Sequence, residues 1–465
     1  MPIKSSLKDR LSPFCSGMSF PRSLALAIAA LLLSAVPATA QTINVIYNFP
    51  GDGNPTYVIP AQGRGGNLYG TTYGVTTTMG SIFSVSTSGQ GRVVDSFDGT
   101  NGSKPIGGVT LGSDGNFYGV TFLGGSANLG VLFKVTPSGA YTILHSFLGG
   151  SDGGEPWEPP IQASDGNFYG ATFLDSTVYK YSPSQGYSVI YQFDQTHGQD
   201  VIASLIQGAD GNLYGVASNG GATYCGTIFE LATSGTPLWY YNFPCGAGGA
   251  MPTTPLVQAA DGTFFGTTQE GGNSHNDGTV FKLTSSGAVS TMYRFQGTQN
   301  GKEPYGLMQA TDGNLYGVAA EGSYKRGLLF KITKSGSYTV LQSFTTEMGY
   351  ALAAPLQDTN GMLYGTTSDG GTRFAGTVYS VDLGLEPFIA LVGYISQPGG
   401  TVQILGQSLT GTTSVTFNGV PATSFDVVSD TYMSAVIPAG ATTGPVVVTT
   451  PTGTLTSNKN LVISE

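Results

Sequence analysis

Short apolar bursts broken by Gly-rich polar turns run through most of the chain, and no stretch shows a convincing helical period. One unit shows the grain. Strand-like pieces fall at about 107–112, 116–121, 131–136 and 141–147, here named A to D. Asp-Gly joins A to B, supplying the positive φ of a tight hairpin, and a Ser-Gly turn joins C to D.

The unit recurs. The hexapeptide at Asp114–Gly119 returns unchanged at Asp165–Gly170, with near-copies at 210–215, 261–266 and 312–317 and looser ones at 65–70 and 360–365. Its aromatic position (Tyr69, Tyr118, Tyr169, Tyr214, Phe265, Tyr316, Tyr364) repeats every 45 to 51 residues. A strand C aromatic follows in each unit, and Phe49, Phe97, Phe147, Phe193, Phe243, Phe295 and Phe344 mark the end of strand D. Four antiparallel strands per unit, seven times over, predict an all-β fold: a closed seven-bladed β-propeller across 41–382. Its phase predicts the closure. A D-like strand at 43–49 precedes the first A strand, while the last unit stops after 377–381, so the two should pair.

The units resemble the GloVer repeats of secreted bacterial proteins over about 43–382, on "DGNLYG" followed by the strand C pattern of 278–283. That resemblance implies export and varied surface anchoring, without a settled activity. After a linker at 383–386, residues 387–465 resemble the IPT/TIG immunoglobulin-like domains, on 399–425 and 437–453, and alternating strands around Gly-rich turns suit a small β-sandwich.

The first forty residues differ. Lys4, Lys8, Arg10 and Arg22 precede the apolar run Leu24–Val36, and an A-x-A site ends at Ala40, which reads as a secretory signal peptide (1–40), with Met18 as an alternative start. Cleavage would leave 14 Lys and Arg against 27 Asp and Glu, net −13, which argues against a nucleic-acid partner. No other apolar stretch could span a bilayer, so a secreted, periplasmic or cell-surface protein is expected. Cys225 and Cys245 flank the C–D hairpin of the fourth unit symmetrically, and a disulfide between them is expected in such a compartment, against the alternative of two free thiols.

Candidate chemistry is sparse. Gln62, Gln162, Gln207, Gln258, Gln309 and Gln357 occupy one position of strand A, with Leu111 the exception. They read as a polar girdle around a channel or, preferably, as an inter-blade hydrogen-bonding position. The turn residues Asp114, Asp165, Asp210, Asp261 and Asp312 offer one carboxylate each, which suits turns better than calcium. His145, His197 and His275 are scattered and form no metal motif. One loop stands out: Leu148–Pro160 gathers Asp152, Glu155, Trp157 and Glu158 beside a shortened B–C loop at 171–175. It is the candidate ligand site, with Trp157 stacking on a sugar or holding a cation and the carboxylates hydrogen-bonding hydroxyls or helping to ligate calcium. The alternative is a Pro-rich loop whose Trp packs over the blade. No catalytic residue, resident metal or other cofactor is assigned. The leading expectation is a secreted or surface binding protein taking a glycan, peptide or envelope partner. A polysaccharide-acting propeller enzyme and a structural spacer are the alternatives.

Overall fold

The computed structural model describes residues 42–464 except 52, 76–77 and 285, so the expected signal peptide lies outside the described residues. Residues 42–382 form seven four-stranded antiparallel sheets among the described residues. In the second sheet Thr110–Leu111, Phe117–Thr121, Val131–Val135 and Tyr141–Ser146 are strands A to D. Strand A is only two residues long in every sheet but the sixth (Lys302–Gln309), shorter than the pattern at 107–112 suggests. Gly and Pro just before it, such as Gly107, Gly108, Pro159 and Pro160, interrupt a regular ladder. Ile43–Asn48 pairs antiparallel with Thr377–Val381 as the fourth strand of the seventh sheet, the expected pairing, with a register shift between Val45 and Tyr47.

The repeated hexapeptide builds each sheet. Gly115 takes φ 84° at the turn. Asp114 accepts hydrogen bonds there from the Asn116 amide at 3.0 Å, its side-chain NH2 at 2.7 Å and the Tyr118 hydroxyl at 2.9 Å. Asp165, Asp210 and Asp312 repeat the set. These aspartates make turns. The final glycine has another reason: a Cβ at Gly119 would lie 2.5 Å from the ring of Phe133, its cross-strand partner, which lies over the bare backbone.

Two aromatic layers join neighbouring sheets. Strand B tyrosines stack on the next sheet, Tyr69 on Phe117 at 4.0 Å and Tyr118 on Phe168 at 3.8 Å. The Phe after strand D meets the strand C aromatic of the following sheet at each of seven joints, from Phe97–Phe133 at 5.5 Å to Phe344–Tyr379 at 5.1 Å. Phe49–Phe83 at 4.9 Å supplies the seventh, between the last sheet and the first. The glutamines form a third tie. Gln162 accepts from the Ser113 amide of the preceding sheet at 2.7 Å and donates to Gly166 O of its own turn at 3.1 Å. Gln207, Gln258 and Gln357 make the same pair of bonds, and Gln62 joins Thr359 of the seventh sheet.

Residues beyond Phe388 form two further four-stranded sheets, with Thr401–Leu405 and Ser414–Phe417 among their strands. Alternation places Val402, Ile404, Val415 and Phe417 in a shared core with Met433 and Val448. This unit sits against the A–B turns. Tyr394 donates its hydroxyl to Gln207 O, Thr431 donates to Arg64 O at 2.7 Å, and the Arg64 guanidinium lies 4.3 Å over the Tyr432 ring. At Leu111, where the glutamine is missing, Arg64 instead donates to Ser113 O at 2.7 Å and to Gln403, which also donates to Ser113 O. The C-terminal unit thus fills the gap in the girdle.

Candidate functional site

With A–B and C–D turns at one end of every sheet, the D–A and B–C connections emerge together at the other. This face carries the unusual residues. Trp157 lies half-buried in an aromatic chain that crosses between sheets. Its ring is 6.2 Å from Tyr57, 6.0 Å from Phe122 and 5.9 Å from Phe173. Tyr57 in turn meets Tyr305 of the sixth sheet at 6.0 Å, and Tyr305 meets Tyr350 at 6.4 Å. Units far apart in sequence therefore contribute to one aromatic cluster. The Gly107 amide donates to Trp157 O at 2.9 Å, fixing the backbone, while the Trp157 indole N–H is buried without an acceptor.

The cluster is rimmed by charge. Lys302 bridges Glu303 and Glu321, at 3.3 Å to each. Burial holds the Tyr57 hydroxyl above its ordinary pKa, with the Glu303 charge adding to the shift, and burial does the same to Tyr305. Farther out on the same face, Tyr224, Tyr324 and Phe374 stand 72%, 60% and 74% exposed in the B–C connections of the fourth, sixth and seventh sheets. Exposed aromatics on one face around a half-buried aromatic centre make a surface suited to stacking contacts.

The four residues singled out in the loop do not act together. Asp152 closes its own loop: it accepts from the Leu148 amide at 2.8 Å and pairs with His145 Nε2 at 2.9 Å. Glu155 sits at φ 53°, its amide donating to Leu129 O at 2.8 Å. Glu158 is enclosed against Gly107, where a Cβ would fall 2.4 Å from its Oε2, and burial pushes its carboxyl up to about 8. It keeps some contact with solvent inside this enclosure, as its partial surface exposure shows. No group of three His, Cys, Asp or Glu able to hold a metal occurs among the described residues; Asp152 is bonded within its own loop and Glu158 is enclosed. The short connection at 171–175 also acts elsewhere than expected. Phe173 fills the space beside Trp157, and a recess of about 530 Å³ opens on its other side toward Asp175, Asp194 and Asp200.

Cys225 and Cys245 are disulfide-bonded, with Cα atoms 5.5 Å apart across the fourth C–D hairpin, as expected. No helix among the described residues is long and apolar enough to cross a membrane.

Repeated four-stranded sheets whose A strands converge on a central cavity define a β-propeller-like repeat protein. The chain belongs to the Gloeobacter/Verrucomicrobia repeat family, which matches residues 32–174, 130–322 and 173–379. No curated protein matches it. Among solved structures it is similar to a streptogramin B lyase, at 13% identity and TM-score 0.52 over 74% of this chain and 97% of that one. It is also similar to virginiamycin B lyase from Staphylococcus aureus, at 12% identity and TM-score 0.53 over 74% of this chain and 99% of that one. At these identities the likeness is one of fold alone.

Proposed function

We propose that the chain is an exported binding protein: a closed seven-bladed propeller, capped by an immunoglobulin-like sandwich of the IPT/TIG kind, that takes a glycan chain on its D–A and B–C face. The unbroken cycle of Phe–aromatic joints supports the closed ring. The disulfide supports an oxidising compartment. One observation carries the binding role, the aromatic centre of Tyr57, Trp157 and Tyr305 with its exposed rim of Tyr224, Tyr324 and Phe374. Flat rings stack on the apolar faces of sugars, and the carboxylates of Glu155, Glu303 and Glu321 accept from their hydroxyls.

A second reading rests on Glu158, next to Trp157, whose carboxyl burial raises to about 8, in the direction a general acid needs for cleaving a polysaccharide. A glycan array with the purified protein and its Trp157→Ala variant tests the binding role. Binding to a defined glycan set that Trp157→Ala loses at least tenfold, with an unchanged melting temperature, is expected. A blank array, or equal binding by the variant, overturns it. Incubating a captured polysaccharide with wild type and Glu158→Gln decides the second reading: chain shortening by wild type alone supports it.

A further inference from the structure

The far end of the propeller holds a second feature, independent of the aromatic face. The A strands of all seven sheets and the segments 390–396 and 458–459 of the C-terminal unit enclose a cavity of about 700 Å³. Its wall mixes hydrocarbon with polar side chains, several of which are already bonded. Ile206, Met308, Leu356 and Leu391 contribute hydrocarbon. The Gln207 and Gln357 amides are committed to the neighbouring turns.

One lining side chain is charged. Lys459 reaches the cavity with its ammonium 4.6 Å over the Tyr394 ring, and Tyr394 is itself pinned to Gln207 O. Among the described residues no carboxylate lines this space, and Lys459 has no salt-bridge partner. Lys459 is exposed as a residue, while the protein packed around its ammonium lowers its pKa below the ordinary lysine range. The Tyr394 ring is a weak partner for this cation, which leaves the ammonium able to pair with an anion. A cavity of this size is in the range of small-molecule sites, where one placed polar group fixes orientation on an apolar surround.

We propose that this cavity binds a small organic monocarboxylate with an apolar body, its carboxylate paired with the Lys459 ammonium and its hydrocarbon against the A strands. A multiply charged anion fits poorly, because the wall offers one cation. The C-terminal unit then has a role beyond capping, since it supplies the charge that recognises the ligand.

Benzoate and octanoate are the probes, with inorganic phosphate and benzyl alcohol as controls, on the full-length protein. Saturable binding by calorimetry of at least one carboxylate, weakened at least tenfold in Lys459→Met and kept within threefold in Lys459→Arg, is expected. Phosphate and benzyl alcohol should bind at least tenfold more weakly than that carboxylate. Amine acetylation of the wild type, read by peptide mass spectrometry, covers the case in which Lys459→Met misfolds: the binding carboxylate should slow labelling at Lys459 while leaving other lysines unchanged. No binding of either carboxylate, equal binding by folded Lys459→Met, or unprotected Lys459 would overturn the proposal. None of these outcomes depends on Trp157.

Discussion

The Phe49 ring meets that of Phe83 edge to face, with centroids 4.9 Å apart and planes at 71°. Phe49 follows the strand that completes the last sheet, and Phe83 lies in strand C of the first, so one contact joins the two ends of the repeat array. Both side chains are buried, at 3% exposure each.

Phe49→Ala should therefore weaken the whole array rather than one loop. Removing a buried Phe costs about 3–5 kcal/mol, and the cavity would open where the last sheet packs on the first. Denaturant unfolding checks this, and a loss below about 1 kcal/mol would show that the joint is not a structural seam.

The disulfide closes the fourth C–D hairpin over a separation of 20 residues. Loop-closure entropy puts its contribution at about 3 kcal/mol. Melting with and without reductant should show a clear drop in the wild type and none in Cys225→Ser/Cys245→Ser. An unreduced protein that reacts with two equivalents of thiol reagent would contradict the bond.

Two buried carboxyls give a pH dependence of definite sign. Burial raises Glu158 from 4.5 to about 8, and it raises Asp358 from 3.8 to about 6 against the opposing Asn360 amide. In each case the folded state holds its proton more tightly than the unfolded state. The corresponding stability is complete below the unfolded pKa and is lost as pH rises through the folded one. Asp358→Asn and wild type should thus share a melting temperature near pH 3.5, corrected for any constant offset. The variant should gain on the order of 3 kcal/mol by pH 7, because its buried side chain no longer ionises. Glu158→Gln should pull ahead over a higher window, from about pH 4.5 to 8. Parallel pH profiles of variant and wild type would contradict the assignment.

Much of the fold was legible because its causes are local and repeated. The turn glycine and the glycine beneath the strand C ring lie within one unit and recur in all seven copies, and the Asp-to-Tyr bond recurs in four. The pairing of 43–48 with 377–381 was legible from phase alone. The candidate site was read only in part. Trp157 was visible as an irregularity, yet its partners Tyr57 and Tyr305 come from other units and meet it only through the ring. Asp152 looked like a ligand because its bonds to His145 and the Leu148 amide depend on loop shape. The rim did leave a signal that was passed over: Tyr224, Tyr324 and Phe374 each stand two or three residues before the glycine that opens strand C, where an aromatic has no core to enter. Lys459 left none, since nothing in its neighbourhood says that it faces the centre of another unit.

The aromatic centre can be watched directly, because Trp157 and Trp239 are the two tryptophans of the chain. In a Trp239→Phe protein the remaining emission reports Trp157 alone. Titration with a glycan captured on the array should shift or quench that emission saturably, with a midpoint matching the affinity measured by calorimetry. Emission that stays unchanged while calorimetry shows the same glycan binding would place the ligand elsewhere and contradict the account.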